Sequence, residues 1–139
     1  LIDRVVAADG RIVLKVNPEI TNTVKLNDSD WDAIHYGMRL VTLEGGTASQ
    51  FFTDLNTSVA GKTGTAEEDK YRSNHAAFIG YAPYENPEIS FACSIRNCDS
   101  TSFPGGVLSE VLQYYFGQYT LKEVIDKPVE NTIEGFYSE

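Results

Sequence analysis

The chain has 139 residues, enough for one hydrophobic core and too few for two ordinary domains. Apolar residues at 42% against 22% charged exclude a disordered or fibrous chain. A net charge of −9, from 20 acidic and 11 basic residues, repels phosphate backbones and excludes a nucleic-acid partner, and it makes any lysine or arginine in a ligand-like setting informative.

Residues 2–16 read as a hairpin. Ile2 to Val6 and Arg11 to Val16 are rich in β-branched residues, and Asp9-Gly10 between them is a turn signal. Residues 17–27, with Pro18 and several Asn and Thr, form a connector. A helix is predicted from Asp28 or Ser29, capped by the pair Ser29 and Asp32. Trp31, Ile34, Met38 and Val41 make its apolar stripe, and Gly45-Gly46 stops it. A short amphipathic segment follows, carrying Ala48, Phe51, Phe52 and Leu55.

Three strands come next: Val59 to Ala66, His75 to Tyr81 with Pro83 beyond it, and Ile89 to Ile95. The last alternates Ile89, Phe91, Cys93 and Ile95 with Ser90, Ala92 and Ser94, a period of two. Phe103-Pro104-Gly105-Gly106 punctuates the chain, and Val107 to Tyr119 is predicted as a helix with a broad apolar face. The expected fold class is α+β: an antiparallel meander flanked by helices, over residues 1–119, with an acidic tail over 120–139 that includes Glu130, Glu134 and Glu139.

No run approaches the roughly 20 apolar residues of a membrane span, and no signal-peptide pattern opens the chain. The chain begins at Leu1 rather than Met, so it reads as a piece of something longer, with any anchor upstream. Cys93 and Cys98 lie five apart without C-x-x-C spacing, and His35 and His75 are the only histidines, so neither a zinc site nor any other cofactor is expected. Spacing alone does not fix whether the two cysteines pair. His35 lies off the helical stripe and is read as solvated, and Tyr114-Tyr115-Phe116 as core and surface of the last helix.

The segment that carries chemistry is Val59-Ala60-Gly61-Lys62-Thr63-Gly64-Thr65-Ala66. Two glycines weaken a strand, so their presence points to close approach by a backbone or a ligand. Alternation puts Lys62 and Gly64 on one face, a cation beside a gap, while Thr63 and Thr65 offer hydroxyls. On an edge strand such a segment suits a short extended peptide bearing a carboxylate. The P-loop pattern fails, because Asn56 stands where its first glycine belongs. A lone Lys-Thr-Gly tripeptide recurs by chance, and an ordinary strand with a solvated lysine is the bland alternative.

The resemblance is wider than the tripeptide. Gly46-Thr47-Ala48, then Val59 to Glu67, then His75-Ala76-Ala77-Phe78-Ile79-Gly80-Tyr81-Ala82-Pro83, resemble the third-motif region of penicillin-binding proteins. Gly37-Met38, Asn86-Pro87-Glu88-Ile89 and the opening Leu1 to Val5 with Asp9-Gly10 are similar too, so the likeness covers roughly residues 1–118. Ser94-Ile95-Arg96-Asn97 stands where class A domains carry a Trp-x-Gly-x-Asp ending, so the chain looks more like class B. Gly80 to Glu88 is most similar to elongation-type enzymes of Gram-positive bacteria.

The resemblance implies the C-terminal part of a D,D-transpeptidase domain that cross-links peptidoglycan stem peptides and binds β-lactam antibiotics. It further implies a parent protein anchored at the extracytoplasmic face of the bacterial membrane, working with the cell-wall elongation machinery. It gives Lys62 an electrostatic role on the substrate carboxylate, Thr63 and Thr65 hydroxyl contacts to it, Gly64 an open slot, and the Thr65 N–H one of two oxyanion donors. It makes His75 structural. Ala77 departs from the Trp of many relatives, which bears on local packing. No serine here begins S-x-x-K or S-x-N; Ser58 comes nearest, with Lys62 four residues on. The chain alone is therefore expected to form no acyl-enzyme. A sensor or β-lactamase of the same fold, and a non-catalytic peptide-binding module, are the rival readings. Apolar surface is expected to be exposed where the rest of such a domain would pack.

Overall fold

The computed structural model describes residues 2–67, 70–98, 100 and 102–126. The expected α+β arrangement is present: a hairpin, two helices, a three-stranded antiparallel sheet and two further helices. Tail residues 127–139, with Glu130, Glu134 and Glu139, lie outside the described residues.

β1 (Arg4–Val6) and β2 (Ile12–Lys15) form their own two-stranded sheet, with a register shift between Val5 and Val6. Every residue of both strands is exposed. α1 spans Asp28–Leu40, and its cap differs from the expected Ser29. Asn27 has the extended backbone of a cap, and its side chain accepts the Asp30 N–H at 2.9 Å. The Ser29 hydroxyl instead donates to Asn27 Oδ1 at 2.7 Å. Asn27 wins because its amide oxygen reaches the third helical N–H directly. Asp28 and Asp30 in the first turn and Arg39 in the last complement the helix dipole. The helix ends five residues before Gly45, sooner than the glycine pair suggests, and none of its residues is fully buried. Of the expected stripe, Trp31 and Ile34 are exposed and only Val41, at the C-cap, packs against the core.

β3 (Ala60–Ala66), β4 (His75–Ala82) and β5 (Ile89–Ile95) pair antiparallel in the order β3-β4-β5. β4 shows why the sheet forms. Ala76, Phe78, Gly80 and Ala82 are buried, while the alternate residues are half-buried or, at Ile79, exposed. Phe78 is the centre of the core, with its ring 5.5 Å from Phe52 and 6.3 Å from Phe91. Val59, Leu55, Ala48, Leu108 and Leu112 close around it.

α2 (Ser49–Phe52) and α3 (Ser102–Tyr115) cover the Phe78 face. α3 begins earlier than predicted, so Phe103-Pro104-Gly105-Gly106 lies inside the helix rather than before it. Pro104 sits in the first turn, where its missing N–H costs no helical bond. Gly105 lets α2 approach, since a Cβ there would stand 2.6 Å from the Phe51 ring. α3 also ends earlier, at Tyr115. Gly117, at φ +69°, closes a Schellman turn in which Gln118 N–H donates to the Gln113 carbonyl at 2.8 Å and Gly117 N–H to Tyr114 at 3.0 Å. Tyr114 and Tyr115 are exposed and Phe116 packs against the core. The segment after Thr120 opens with α4 (Leu121–Ile125), held by a capping box between Thr120 and Glu123.

α3 makes a sharp stability contrast available. Leu112→Ala, at a site 1% exposed, is expected to cost about 2–5 kcal/mol, whereas Val111→Ala, at a site 50% exposed, should stay within about 0.5 kcal/mol. Urea unfolding of the two variants checks this.

Candidate functional site

β3 is an edge strand of the sheet, with β4 on one side and, among the described residues, no strand on the other. Its backbone therefore keeps alternate N–H and C=O groups unpaired along one border. The register runs without interruption from Ala60 opposite Tyr81 to Ala66 opposite His75. No bulge occurs, so strict alternation holds: Lys62 and Gly64 share one face with Ile79 and Ala77, while Gly61, Thr63 and Thr65 share the other with Phe78. The register carries no bulge that would bring the Thr63 and Thr65 side chains to the face of Lys62.

Burial changes along the strand. Ala60 and Gly61 are buried, Thr63 and Gly64 half-buried, and Lys62, Thr65 and Ala66 exposed. The two glycines answer to different causes. A Cβ on Gly61 would penetrate the Phe78 ring and stand 2.7 Å from the Ile79 carbonyl, so the core demands glycine there. A Cβ on Gly64 would meet only Ala77, with its Cβ at 3.7 Å and its carbonyl at 3.9 Å, ordinary contact distances. Packing among the described residues does not require a glycine at 64, and the space beside Lys62 stays open.

The Lys62 ammonium donates to the Thr63 carbonyl at 2.7 Å, folding back on its own strand. Among the described residues no carboxylate lies within salt-bridge range of it. The Thr63 hydroxyl lies 3.3 Å from that of Thr47. Thr65 is exposed and adds its hydroxyl at the solvent end.

The start of β3 is fixed by a polar latch that the sequence did not reveal. The Arg39 guanidinium donates to the Val59 carbonyl at 2.9 Å and to Thr42 Oγ1 at 3.0 Å, and the Thr42 hydroxyl donates to the same Val59 carbonyl. Arg39 also lies 5.9 Å from the centre of the Tyr84 ring. Ser58 accepts the Tyr84 N–H at its carbonyl, 3.0 Å, and at its hydroxyl oxygen, 2.9 Å, and its hydroxyl donates to Glu85. The Arg39–Thr42 spacing was the only sequence signal; what those side chains hold lies 17 and 20 residues away.

Of the two histidines, His75 stands opposite Ala66, the last residue of β3. His75 Nδ1 accepts the Asn97 N–H at 3.2 Å, tying the start of β4 to the turn after β5. His35 is exposed, as expected, yet its ring lies between Trp31 at 5.9 Å and Tyr81 at 5.7 Å. Burial, and then the neighbouring Tyr84, push the Tyr81 phenol above its ordinary range. Cys93 and Cys98 are free thiols.

Residues 1–113 match the model of the penicillin binding protein transpeptidase domain. The peptidoglycan D,D-transpeptidase MrdA of Haemophilus influenzae is 35% identical over 117 residues, which is 73% of this chain and 18% of that protein. Penicillin-binding protein H of Bacillus subtilis is 32% identical over 99 residues, 65% of this chain and 14% of that protein. Among solved structures, Pseudomonas aeruginosa PBP2 in complex with WCK 5153 superposes with a TM-score of 0.62 at 33% identity, covering 77% of this chain and 24% of that one. The fold is thus that of a penicillin-binding protein. The chain belongs to the penicillin-binding protein transpeptidase domain family, and it spans under a fifth of the length of these curated relatives.

The latch predicts a pH dependence. The Ser58 hydroxyl, then the residue's own backbone N–H, with a smaller contribution from the Arg39 charge, hold the Glu85 carboxyl below the usual glutamate range. A depressed folded-state value means stability that is present above the ordinary glutamate pKa, about 4.3, and lost as pH falls through the lower folded value. Wild type should therefore melt above Glu85→Gln by a constant margin from pH 7 to 5. That margin should narrow below the ordinary glutamate value and vanish as pH falls through the lower folded value, as thermal scans on the acid side will show.

Proposed function

We propose that this chain is the C-terminal part of the transpeptidase domain of a class B, elongation-type penicillin-binding protein, and that β3 is its substrate-binding edge. One observation carries the reading: an exposed lysine without an acidic partner among the described residues, beside a glycine that their packing does not require, on an open strand border. In a chain of net charge −9, that border is a local exception suited to an anion.

The substrate is an extended stem peptide ending in a carboxylate, or a β-lactam that mimics it. The peptide adds as a strand to the border of β3. Lys62 attracts its carboxylate, Thr63 and Thr65 donate hydroxyl hydrogen bonds to it, and Gly64 leaves it room. The nucleophile is a serine of an S-x-x-K motif in the parent protein. Its oxygen attacks the carbonyl of the penultimate D-Ala, the terminal D-Ala leaves as the amine, and an ester remains. An amine of a second strand then attacks that ester, forming the cross-link and restoring the serine hydroxyl. The Thr65 N–H is one of two donors to the developing oxyanion, a contribution of roughly 3–4 kcal/mol in comparable acyl transfers.

The elongation assignment rests on the relatives. Besides MrdA, PBP2 of Helicobacter pylori in its complex with MreC matches at a TM-score of 0.58 and 26% identity over 72% of this chain. By that likeness the parent protein works beside MreC at the extracytoplasmic face of the membrane. No helix among the described residues is long and apolar enough to cross a membrane, and the anchor is assigned to another part of the parent.

In the full-length parent, Lys62→Ala should slow acylation by a fluorescent penicillin about 10- to 100-fold while leaving the melting temperature unchanged, the loss expected for one charged hydrogen bond. The isolated 139-residue chain should take up no label. An unchanged acylation rate in the variant removes Lys62 from the site, and stoichiometric labelling of the isolated chain places a nucleophile within it.

A further inference from the structure

We propose that Thr47 is a positioning residue for recognition of the substrate carboxylate, acting through the Thr63 hydroxyl; this rests on β3 being the substrate edge. The two hydroxyl oxygens are 3.3 Å apart although the residues are 16 apart in sequence. A threonine hydroxyl has one proton and two acceptor lone pairs. When Thr47 donates to Thr63, the Thr63 oxygen is satisfied as an acceptor and its own proton is directed outward, towards an anion on the border. A donor chain of this kind also polarises its last hydroxyl. Without Thr47, the Thr63 proton has no preferred direction.

The turn that presents Thr47 is held by contacts on both sides of it. A Cβ on Gly46 would overlap the carbonyls of Leu40 and Val41, so the turn is folded hard against the end of α1. Ala48 is buried, and its N–H donates to the Val41 carbonyl at 2.9 Å. The Ser49 N–H closes the turn on Gly46 at 3.2 Å. Thr47 itself is exposed, so its side chain contributes little to the core. The same helix end supplies Arg39 and Thr42 to the Val59 carbonyl. One structural unit therefore sets both the origin of β3 and the direction of its central hydroxyl, the precision that ligand geometry demands.

The test compares, in the full-length parent, acylation by benzylpenicillin with acylation by its methyl ester, whose carboxylate is masked. Thr47→Val should slow the acid about 5- to 10-fold and leave the ester unchanged, and Thr47→Ser should restore the acid rate. Thr63→Val combined with Thr47→Val should be no slower than Thr63→Val alone, because the two hydroxyls act as one unit. Equal losses on acid and ester, or losses that multiply in the double variant, overturn the proposal. Lys62→Ala separates the two levels. If it slows the acid while Thr47→Val matches wild type, only the role of Thr47 falls; if Lys62→Ala has no effect, the substrate edge itself is misplaced.

Discussion

The contact on which the candidate site depends is that between Gly61 and the ring of Phe78. β3 can lie flat on the core only because position 61 has no side chain to hold it off. That contact anchors the buried half of the strand, and the half beyond it runs out into solvent with Lys62 and Thr65 exposed. A strand buried along its whole length would present nothing. One exposed along its whole length would have no fixed position. The transition within seven residues is what makes a precise and accessible edge.

Anchoring at Gly61 fixes depth but not angle. A second hold acts at the same end of the strand, where Arg39 and Thr42 converge on the Val59 carbonyl and Ser58 engages Tyr84 and Glu85. A carbonyl accepting from a guanidinium and a hydroxyl uses both of its lone pairs. Losing either donor leaves a half-satisfied acceptor at a buried residue, which explains why a polar cluster is tolerated beside an apolar core.

Much of the fold was legible in the sequence, and the misreadings fall at helix ends. The sheet was readable because period-two patterning in Ile89–Ile95 and short connections leave few alternatives to an antiparallel meander. Helix ends were misread where punctuation residues serve packing. Pro104 and Gly105 look like breakers, but one occupies a first-turn position and the other admits the Phe51 ring, neither of which periodicity reveals. Ser29 looked like a cap because it carries a hydroxyl at the right offset, yet Asn27 holds that place. At the site, the cation beside a glycine gap was legible as composition and alternation. The latch and the Thr47 contact were not, since each joins side chains to partners 16 or more residues away. The distinction between the two glycines was likewise invisible: both read as weak strand positions, and only the neighbours show that one belongs to the core.

The resting hydrogen bond of Lys62 bears on how such an edge would take a ligand. The ammonium is held by a neutral carbonyl of its own strand, at 2.7 Å, rather than by an acidic side chain. An incoming carboxylate would replace a neutral acceptor with a charged one, adding the attraction of opposite charges to a hydrogen bond whose donor is already ionised. Had a glutamate held Lys62, the exchange would swap one charged partner for another and leave little net attraction. A chain with 20 acidic residues has many ways to neutralise a lysine, and among the described residues none of them reaches this one. The strand thus combines a cation kept available, a gap kept empty and a border with no strand paired to it among the described residues, the three features on which the proposed carboxylate-bearing ligand rests.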